Sequence, residues 1–198
     1  MLQPIILIRI VFLFLLSVNY CHADSTVTKI RTLLVLTPIT QGLFQQEKHL
    51  KFLRKPLIST GTFTYDQNKG VIWKTITPIP SILLVNDAHL LIGEGKQALP
   101  PAFGRVFKAL LGGEINRLSE GFAITGKDQK SSWQLLLTPK DELLKKVISI
   151  VVLTGDSDLR RLELYEVNGN LTRIQFSEIT HPDRLSNEQQ AEFERLSP

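Results

Sequence analysis

Pro56–Glu94 contains four short apolar runs: Pro56-Leu-Ile-Ser-Thr-Gly-Thr-Phe-Thr-Tyr65, Val71-Ile-Trp-Lys-Thr-Ile-Thr77, Ser81-Ile-Leu-Leu-Val85 and His89-Leu-Leu-Ile92. Each run is rich in β-branched or aromatic residues, and turn residues separate it from the next. This pattern predicts four antiparallel strands in a meander. One face of such a sheet is apolar and has to be covered, either by protein side chains throughout or by a ligand for part of the time.

The first 23 residues have the features of a secretory signal peptide. They contain one positive charge at Arg9, an apolar run at Ile10–Leu16 and the small-residue end Cys21-His22-Ala23. We therefore expect cleavage after Ala23, which leaves residues 24–198 as a single domain. The alternative is an uncleaved membrane anchor, although the apolar stretch is short for a membrane span.

Composition narrows the classes of function. The full chain of 198 residues has a formal net charge of +4, one cysteine and one methionine, and the last two both lie in the predicted signal peptide. An exported chain without cysteine suits a bacterial periplasm and can form no disulfide. The mild charge, with no basic-aromatic cluster recognised, does not indicate a nucleic-acid binder.

The flanking segments supply further expected elements. Ser25 is expected to cap a helix that ends before Pro38 and has an apolar face of Val27, Ile30, Leu33 and Leu34. Gly42–Leu50 is expected to form a strand. Val147–Leu153 is apolar on both faces, which predicts a central strand whose outer face could be covered by the N-terminal helix.

The C-terminal half returns to a strand pattern. The predicted strands are Gly121–Lys127, Ser132–Thr138, Lys146–Thr154, Leu159–Val167 and Leu171–Ile179. Asn168-Gly169 is a strong hairpin signal. Ser186 and Gln189 have capping-box spacing and predict a short C-terminal helix.

A helix is predicted between the two groups of strands, after Pro100-Pro101. Its apolar positions fall at helical spacing, and they are Phe103, Val106, Phe107, Leu110 and Leu111. Arg105 and Lys108 are expected away from that stripe, and Gly112-Gly113 is expected to end the helix in a left-handed cap. This helix is either a permanent plug of a barrel or a movable lid.

No catalytic or metal site is predicted. The histidines of the expected mature chain, His49, His89 and His181, lie in separate elements without metal-ligand spacing. The sequence contains no nucleophile elbow and no phosphate-binding loop. Gly155–Asp158 is better explained by a hairpin turn than by calcium binding. We therefore predict no cofactor, and we do not expect an enzyme.

Several spaced motifs together resemble the LolA family of periplasmic lipoprotein carriers. They are Phe44-x-Gln46-x-Lys48-x-Leu50, Pro56-Leu57-x-Ser59-x-Gly61-x-Phe63, Gly70-x-x-Trp73 with Pro78, Asn86-Asp87-Ala88, and Trp133-x-Leu135-x-Leu137-x-Pro139-Lys140. The resemblance runs from about Gly42 to Ile179. It rests on the order and spacing of the motifs rather than on any one of them.

The resemblance implies a mainly β (α+β) fold. The expected architecture is an incomplete antiparallel β-barrel of about ten strands, with an N-terminal helix and an inserted amphipathic lid helix over an apolar cavity. It also implies a monomeric periplasmic carrier that moves the acyl part of a lipoprotein, or another lipid, toward the outer membrane. An inner-membrane exporter and an outer-membrane acceptor would then be its partners, and nucleic acid would not.

The expected ligand-binding residues line the cavity and the lid. They are Phe63, Trp73, Leu83, Val85, Phe103, Val106, Phe107, Leu110, Leu111, Trp133, Leu135, Leu162, Leu164 and Phe176. Burial of acyl chains in such a groove is favourable by roughly 0.8 kcal/mol per CH₂.

One motif of the family is missing. Lipoprotein-carrying members have an Arg-Pro step shortly before the tryptophan, and that arginine ties the lid to the barrel. The matching stretch, Tyr65–Gly70, contains neither residue. Gln67 or Lys69 could replace the arginine only in part, since neither offers its planar set of donors. This departure indicates a LolA-related subgroup, of the kind that accompanies pathways for other exported lipids or polyenes, and the cargo is either a lipoprotein or one of these lipids.

Two other functions stay open. One is an enzyme of the same fold that shapes a hydrophobic biosynthetic intermediate, as a LolA-like enzyme of the violacein pathway does. The other is a binding module that senses lipids or lipidated proteins. Turnover of a candidate substrate would favour the enzyme, and reversible binding of an unchanged ligand would favour the carrier.

The signal-peptide interpretation makes a direct prediction. The protein released from cells by osmotic shock should begin at Asp24, because signal peptidase acts after a small residue that follows an apolar run. N-terminal sequencing or intact mass measures this. An intact N-terminus found in the membrane pellet would contradict both the export and the carrier interpretation.

Overall fold

The computed structural model describes residues 22–34, 37–87, 89–93, 95–97, 101–129 and 131–196. Except for His22 and Ala23, the predicted signal peptide lies outside these residues, so its cleavage stays a prediction. The helices in the described part of the chain include none that is long and apolar enough to cross a membrane.

The fold is built on one antiparallel sheet of eleven strands. The strands are β1 (Ile39–His49), β2 (Leu57–Asp66), β3 (Gly70–Thr77), β4 (Ser81–Val85), β5 (Leu90–Ile92), β6 (Gly95–Gln97), β7 (Phe122–Gln129), β8 (Ser132–Pro139), β9 (Ile148–Gly155), β10 (Leu159–Glu166) and β11 (Leu171–Thr180). Their order is β6-β5-β4-β3-β2-β1-β11-β10-β9-β8-β7. The edge strands β6 and β7 do not pair, so the barrel is incomplete. The predicted mainly β architecture is confirmed, with β6 as a short additional strand.

The four strands of the predicted meander are present and pair in sequence order. Phe63 of β2 pairs with Trp73 of β3, and Trp73 pairs with Leu83 of β4. Alternation along β2 places Tyr65 on the same face as Phe63. Phe63, Tyr65 and Trp73 are all buried, which confirms the expectation that Phe63 and Trp73 point inward.

Within the residues that the structure describes, five helices accompany the sheet: α1 (His22–Leu33), α2 (Pro101–Leu111), α3 (Ile115–Gly121), α4 (Glu142–Lys145) and α5 (Asn187–Glu194). The predicted inserted helix is α2. Its left-handed cap is confirmed at Gly113, where φ is +64°, and the Glu114 N–H donates to the Ala109 carbonyl over 2.9 Å. The capping box at the start of α5 is also confirmed. The sequence analysis missed α3 and α4, because each is too short to show a helical period.

The sheet is buried on both faces along the meander. On the concave face, Trp73 and its neighbours join a large apolar cluster. On the convex face, the residues of a second cluster are Ile39, Ile72, Leu84, Leu91, Leu185, Phe193 and Leu196. Helix α5 therefore covers the outside of β3–β5, and this is why Ile72 and Leu84 are apolar although they point away from the barrel interior.

The N-terminal helix differs from its prediction in two ways. Ser25 lies inside α1, which begins at His22, so Ser25 is not the cap. The helix also packs on β7 inside the barrel and not outside β9. Gly126 of β7 has no side chain, and a Cβ there would lie 2.9 Å from Ile30 Cδ1 and 3.3 Å from Val27 Cγ2. The space over Gly126 determines that α1 packs on β7 through Val27 and Ile30. Leu33 lies outside that contact and is exposed.

The prediction that both faces of the central strand β9 are covered is wrong. Ser149 of β9 is exposed, and Ile150 and Val152 are only half-buried. Val147, which precedes the strand, is exposed as well. The outer face of β9 therefore needs no covering helix, and apolar residues on both faces did not mean burial on both faces.

Candidate functional site

The concave face of the sheet holds one apolar cluster that contains nearly all of the predicted ligand-binding residues. Those that are buried are Phe63, Trp73, Val85, Leu110, Leu111, Trp133, Leu135, Leu162 and Phe176. Leu83, Val106, Phe107 and Leu164 are partly buried and pack against the same cluster. The side chain of Phe103 lies outside the described residues. The structure thus places the predicted residues together, and their contact with a ligand stays a prediction.

Trp73 is the centre of an aromatic group inside the barrel. Its ring stacks on Phe44 at a centroid distance of 3.8 Å and meets Phe176 edge-on at 6.3 Å. Phe107 of α2 approaches it edge-on at 5.8 Å. Edge-to-face and offset-stacked geometries are the favourable arrangements for aromatic pairs. The helix cover is therefore joined to the sheet through Trp73, and Phe44 belongs to the group although the sequence analysis did not select it.

A small, partly open cavity of about 40 Å³ lies between the helices and the sheet. Six of the predicted residues line it: Phe63, Leu110, Leu111, Trp133, Leu135 and Phe176. A water molecule needs roughly 10–15 Å³ measured in this way, so the cavity holds a few waters and no acyl chain. The structure is therefore of a closed form, and a long ligand would have to displace part of the cover.

Helices α2 and α3 form that cover, together with the glycine turn between them. Ala109, Leu110 and Leu111 of α2 are buried, and so are Ile115 and Leu118 of α3. All five belong to the same cluster as the strand side chains. The sequence predicted one covering helix, and the structure has two joined at Gly112-Gly113.

A hydrogen bond ties this cover to the sheet. The Tyr65 hydroxyl of β2 donates to Glu114 Oε1 over 2.7 Å, and Glu114 Oε2 is 2.7 Å from Arg117 Nε of α3. Gly112 makes the approach possible, since a Cβ there would lie 2.4 Å from the Tyr65 hydroxyl. Burial, and then the hydrogen bond to the Glu114 carboxylate, raise the pKa of Tyr65. The phenol thus stays protonated and keeps donating.

An ion pair lies at the other end of the cover. Lys108 of α2 was expected to face away from the apolar stripe, but it is only 3% exposed. Its Nζ lies 3.5 Å from Asp87 Oδ2, and Asp87 is exposed beyond the end of β4. Because almost the whole side chain is buried, the ion pair with Asp87 offsets the burial of the ammonium group, and this explains the departure from the predicted pattern.

The residues proposed to replace the missing arginine do not reach the cover. Gln67 and Lys69 are both exposed on the turn between β2 and β3. Tyr65, two residues before Gln67, is the residue that contacts the α2–α3 turn. Its position on the inward face was readable from alternation with Phe63, and a buried tyrosine hydroxyl needs a partner. The partner Glu114 could not be found from sequence, because the α2–α3 turn is distant along the chain.

The polar rim of the cavity is formed by Thr40, Ser157 and Asp158. The ring of His181 connects it, with Nδ1 2.9 Å from Thr37 Oγ1 and 3.2 Å from Thr40 Oγ1, and Nε2 2.9 Å from Asp158 Oδ1. His181 was expected to have only a surface or strand-end role. It follows β11 directly and joins the start of β1 to the β9–β10 turn.

The hydrogen bonds of His181 at this rim link three segments of the chain. Its Nδ1 lies closer to Thr37 Oγ1 than to Thr40 Oγ1, and Thr37 Oγ1 also donates to the Ile39 carbonyl over 2.9 Å. Thr40 Oγ1 is shared as well, because it lies 3.1 Å from Thr37 Oγ1. The arrangement therefore joins the start of β1, the end of β11 and the β9–β10 turn, which is a structural role.

Metal binding finds no support in the described part of the chain, where no group of three or more His, Cys, Asp or Glu side chains is placed to hold an ion. The Gly155–Asp158 segment forms the β9–β10 turn, as predicted. Asp156 accepts from the Asp158 N–H over 3.0 Å and from Arg160 Nε over 3.0 Å. Partial burial alone would raise the pKa of Asp156. The hydrogen bonds from the Asp158 N–H and from Arg160 outweigh it, so the pKa of Asp156 is lowered.

Comparison with known proteins was made at the levels of sequence and fold. Residues 38–190 match the family model described as "Outer membrane lipoprotein carrier protein LolA". The comparison with curated protein sequences gives no match. The family model covers the strands from β1 to β11 and the whole helical cover, so it includes every element of the site except α1.

Solved structures with a similar fold are remote in sequence. A LolA superfamily protein from Nitrosomonas europaea has 12% identity and a TM-score of 0.46, over 85% of this chain and 97% of that chain. The MucA/MucB complex of Pseudomonas aeruginosa gives 13% identity and a TM-score of 0.46, over 84% of this chain and 60% of that one. A DUF1329 family protein from Desulfovibrio piger has 9% identity and a TM-score of 0.46, over 82% of this chain and 93% of that chain.

The Tyr65–Glu114 hydrogen bond makes a testable contribution to stability. Tyr65→Phe should lower the free energy of unfolding at neutral pH by about 1.5–3 kcal/mol, since a hydrogen bond to a charged group is lost in a buried place. Because the folded-state pKa is raised above the ordinary 10.0, this contribution is present below pH 10 and is lost as the pH rises further. Urea unfolding at neutral pH and above pH 10 measures both effects.

The matched control is Tyr165→Phe, which removes the hydroxyl of a half-exposed tyrosine on β10. It should leave the free energy of unfolding nearly unchanged at both pH values. A difference between the wild type and Tyr65→Phe that does not shrink above pH 10 would contradict the assigned role of the phenol.

Proposed function

Because the chain belongs to the LolA family of outer membrane lipoprotein carriers, we propose that it is a periplasmic carrier that binds the acyl part of a lipoprotein or of another exported lipid. The bound molecule is released unchanged. The ligand occupies the space between the concave face of the sheet and the α2–α3 cover. Its path leads toward the outer membrane, from an inner-membrane exporter to an outer-membrane acceptor.

The observation that carries this proposal is the nature of the cover. Helices α2 and α3 close an open sheet by apolar contacts that a hydrocarbon chain can replace, and by two polar contacts at their ends. Water can replace the partners in the polar contacts when the cover lifts. A cover of this kind acts as a lid, whereas a permanent plug would need no exchangeable contacts.

Burial of the ligand offsets the free-energy cost of opening the lid. Lifting α2 exposes side chains such as Phe107, Leu110 and Leu111, at a cost of about 1.5–3 kcal/mol for each large apolar side chain. A bound acyl chain covers the same surface again and gains roughly 0.8 kcal/mol for each buried CH₂. A long chain therefore offsets the cost of opening, while a short chain leaves the lid closed.

The lid contact of this chain differs from the arginine contact that the family resemblance implied. A tyrosine–glutamate hydrogen bond offers one donor, and an arginine offers a fork of several. The closed form is thus held by a different contact. We propose that the signal for opening and the docking partner differ as well, and that the cargo extends to lipids other than lipoproteins.

Catalysis is the second candidate function, and the rim around His181 is the place to examine it. Thr40, His181 and Asp158 have the residue types of a hydrolase triad and lie beside the cavity. The contacts described above support a structural role for His181 between strands, and this favours reversible binding without chemistry. Turnover of an acyl ester that is lost in His181→Ala would favour the enzyme.

Phe107 provides the test of lid against plug. In Phe107→Asp, a lid residue can turn toward water, so the variant should stay folded and melt within about 10 °C of the parent, given that roughly 1 kcal/mol shifts a domain of this size by 2–4 °C. Its affinity for a long-chain fatty acid should fall at least about tenfold, which is on the order of 1.4 kcal/mol. The emission of the two tryptophans, Trp73 and Trp133, and displacement of a hydrophobic dye measure binding.

The control is Asn116→Asp, which adds the same charge at an exposed position of α3. It should keep the affinity of the parent. Failure of Phe107→Asp to fold would indicate a permanent plug, because a buried unpaired carboxylate is too costly for a core. Unchanged fatty-acid affinity would mean that the helix does not touch the cargo.

A further inference from the structure

Several turns of the sheet meet at one end of the barrel, remote from the polar rim at His181. They connect β1 to β2 (residues 50–56), β3 to β4 (78–80) and β10 to β11 (167–170). Together with the first residues of β2 and the last residues of β3, we call them the basic end. The rim lies at the opposite ends of the same strands, where β1 begins and β11 stops.

The basic end exposes several large apolar side chains to solvent. Phe52 is 79% exposed and Ile79 is 76% exposed. Five more apolar residues of this end are exposed as well: Leu53, Leu57, Ile58, Ile76 and Val167. Single exposed apolar residues are ordinary, but a contiguous group marks a surface for interaction.

The strand register makes the group contiguous. Thr60 pairs with Thr77, and their hydroxyls lie 2.7 Å apart, so the start of β2 runs beside the β3–β4 turn that carries Ile79. On the other side, the Lys51 N–H donates to Asn170 Oδ1 over 3.1 Å. The turn with Phe52 is thereby attached to the β10–β11 turn with Val167.

The charges of this end are nearly all positive. Lys51, Arg54 and Lys55 are exposed on the turn that holds Phe52, and Lys48 precedes them on β1. The sequence from Lys48 to Tyr65 contains no Asp or Glu. The nearest acidic groups already have partners within the protein. Glu47 contacts His49 at 3.3 Å, and Glu166 accepts from Asn168 over 3.0 Å.

We propose that the basic end docks on an anionic phospholipid surface. Phe52 and Ile79 enter the boundary between headgroups and acyl chains, and the lysine and arginine side chains lie against the lipid phosphates. Exposed aromatic and aliphatic tips with cations around them suit this interface, where both hydrocarbon and negative charge are available. A nucleic acid would meet the cations but would leave the isoleucine and leucine side chains without a favourable contact.

The docking surface goes beyond the proposed carrier function because it requires no cargo in the cavity. Its failure and the failure of the carrier proposal are distinguishable: Phe107→Asp, which alters the lid, should bind membranes as the parent does. If the carrier proposal also holds, docking brings the molecule to the surface of the membrane with which it exchanges lipid.

The test is sedimentation of the exported form of the protein with lipid vesicles. Vesicles of phosphatidylcholine with phosphatidylglycerol should bind the protein, and binding should weaken as salt rises, because exposed charges are screened beyond about 10 Å at 0.1 M salt. Pure phosphatidylcholine vesicles should bind it at least about tenfold more weakly, a difference on the order of 1.4 kcal/mol. Equal binding to both kinds of vesicle would overturn the electrostatic part of the proposal.

Matched variants locate the surface. The double variant Lys51→Glu with Lys55→Glu should lose most binding to the anionic vesicles, while Lys69→Glu with Lys127→Glu, which changes the net charge equally at exposed sites elsewhere, should keep most of it. Phe52→Ser should weaken binding, and Leu33→Ser, at an exposed apolar position of α1, should not. Circular dichroism confirms that each variant is folded.

Two outcomes would overturn the proposal. Equal loss of binding in both charge-reversal variants would mean that only net charge matters. Self-association of the protein in solution that is abolished by Phe52→Ser, without binding to either kind of vesicle, would mean that the basic end is a protein interface.

Discussion

The constraint on which the fold depends is the apolar concave face of an open sheet. A closed barrel fills its interior with its own strands, but here β6 and β7 do not meet, and helices have to complete the enclosure. Trp73 lies where the two parts join, stacked on Phe44 of the sheet and edge-on to Phe107 of the cover. Sheet and helices therefore share one core, and the proposed carrier function requires that a ligand can replace the part contributed by α2 and α3.

Polar contacts add to the apolar contacts that hold the cover. Tyr65 reaches Glu114 across the glycine turn, and Lys108 reaches Asp87 from a buried position. Each is a single contact, so the two contribute less than the many apolar contacts of the cover taken together. The helix on the convex face is held by the same kinds of contact: α5 packs Phe193 and Leu196 on the sheet, and Gln189 donates to Gln41 Oε1 and Thr64 Oγ1 over 2.9 Å.

The sequence was most informative where local pattern determines structure. Alternation in β2 and β3 predicted that Phe63 and Trp73 point inward, and helical spacing predicted the apolar face of α2. Contacts between distant segments were not accessible: the partner of Tyr65, the burial of Lys108 and the docking of α1 on Gly126 each depend on how the sheet curves. The basic end was not predicted, because the exposure of apolar side chains cannot be inferred from composition alone.

The central claim is that the space under α2 and α3 holds an apolar ligand reversibly. The most direct measurement is native mass spectrometry of the protein isolated from its own cells, followed by extraction of the bound molecules. The account predicts a population that carries a noncovalent acyl-containing molecule, which is released unchanged on denaturation. A single mass equal to that of the bare chain, in protein from cells and after incubation with long-chain lipids alike, would contradict it.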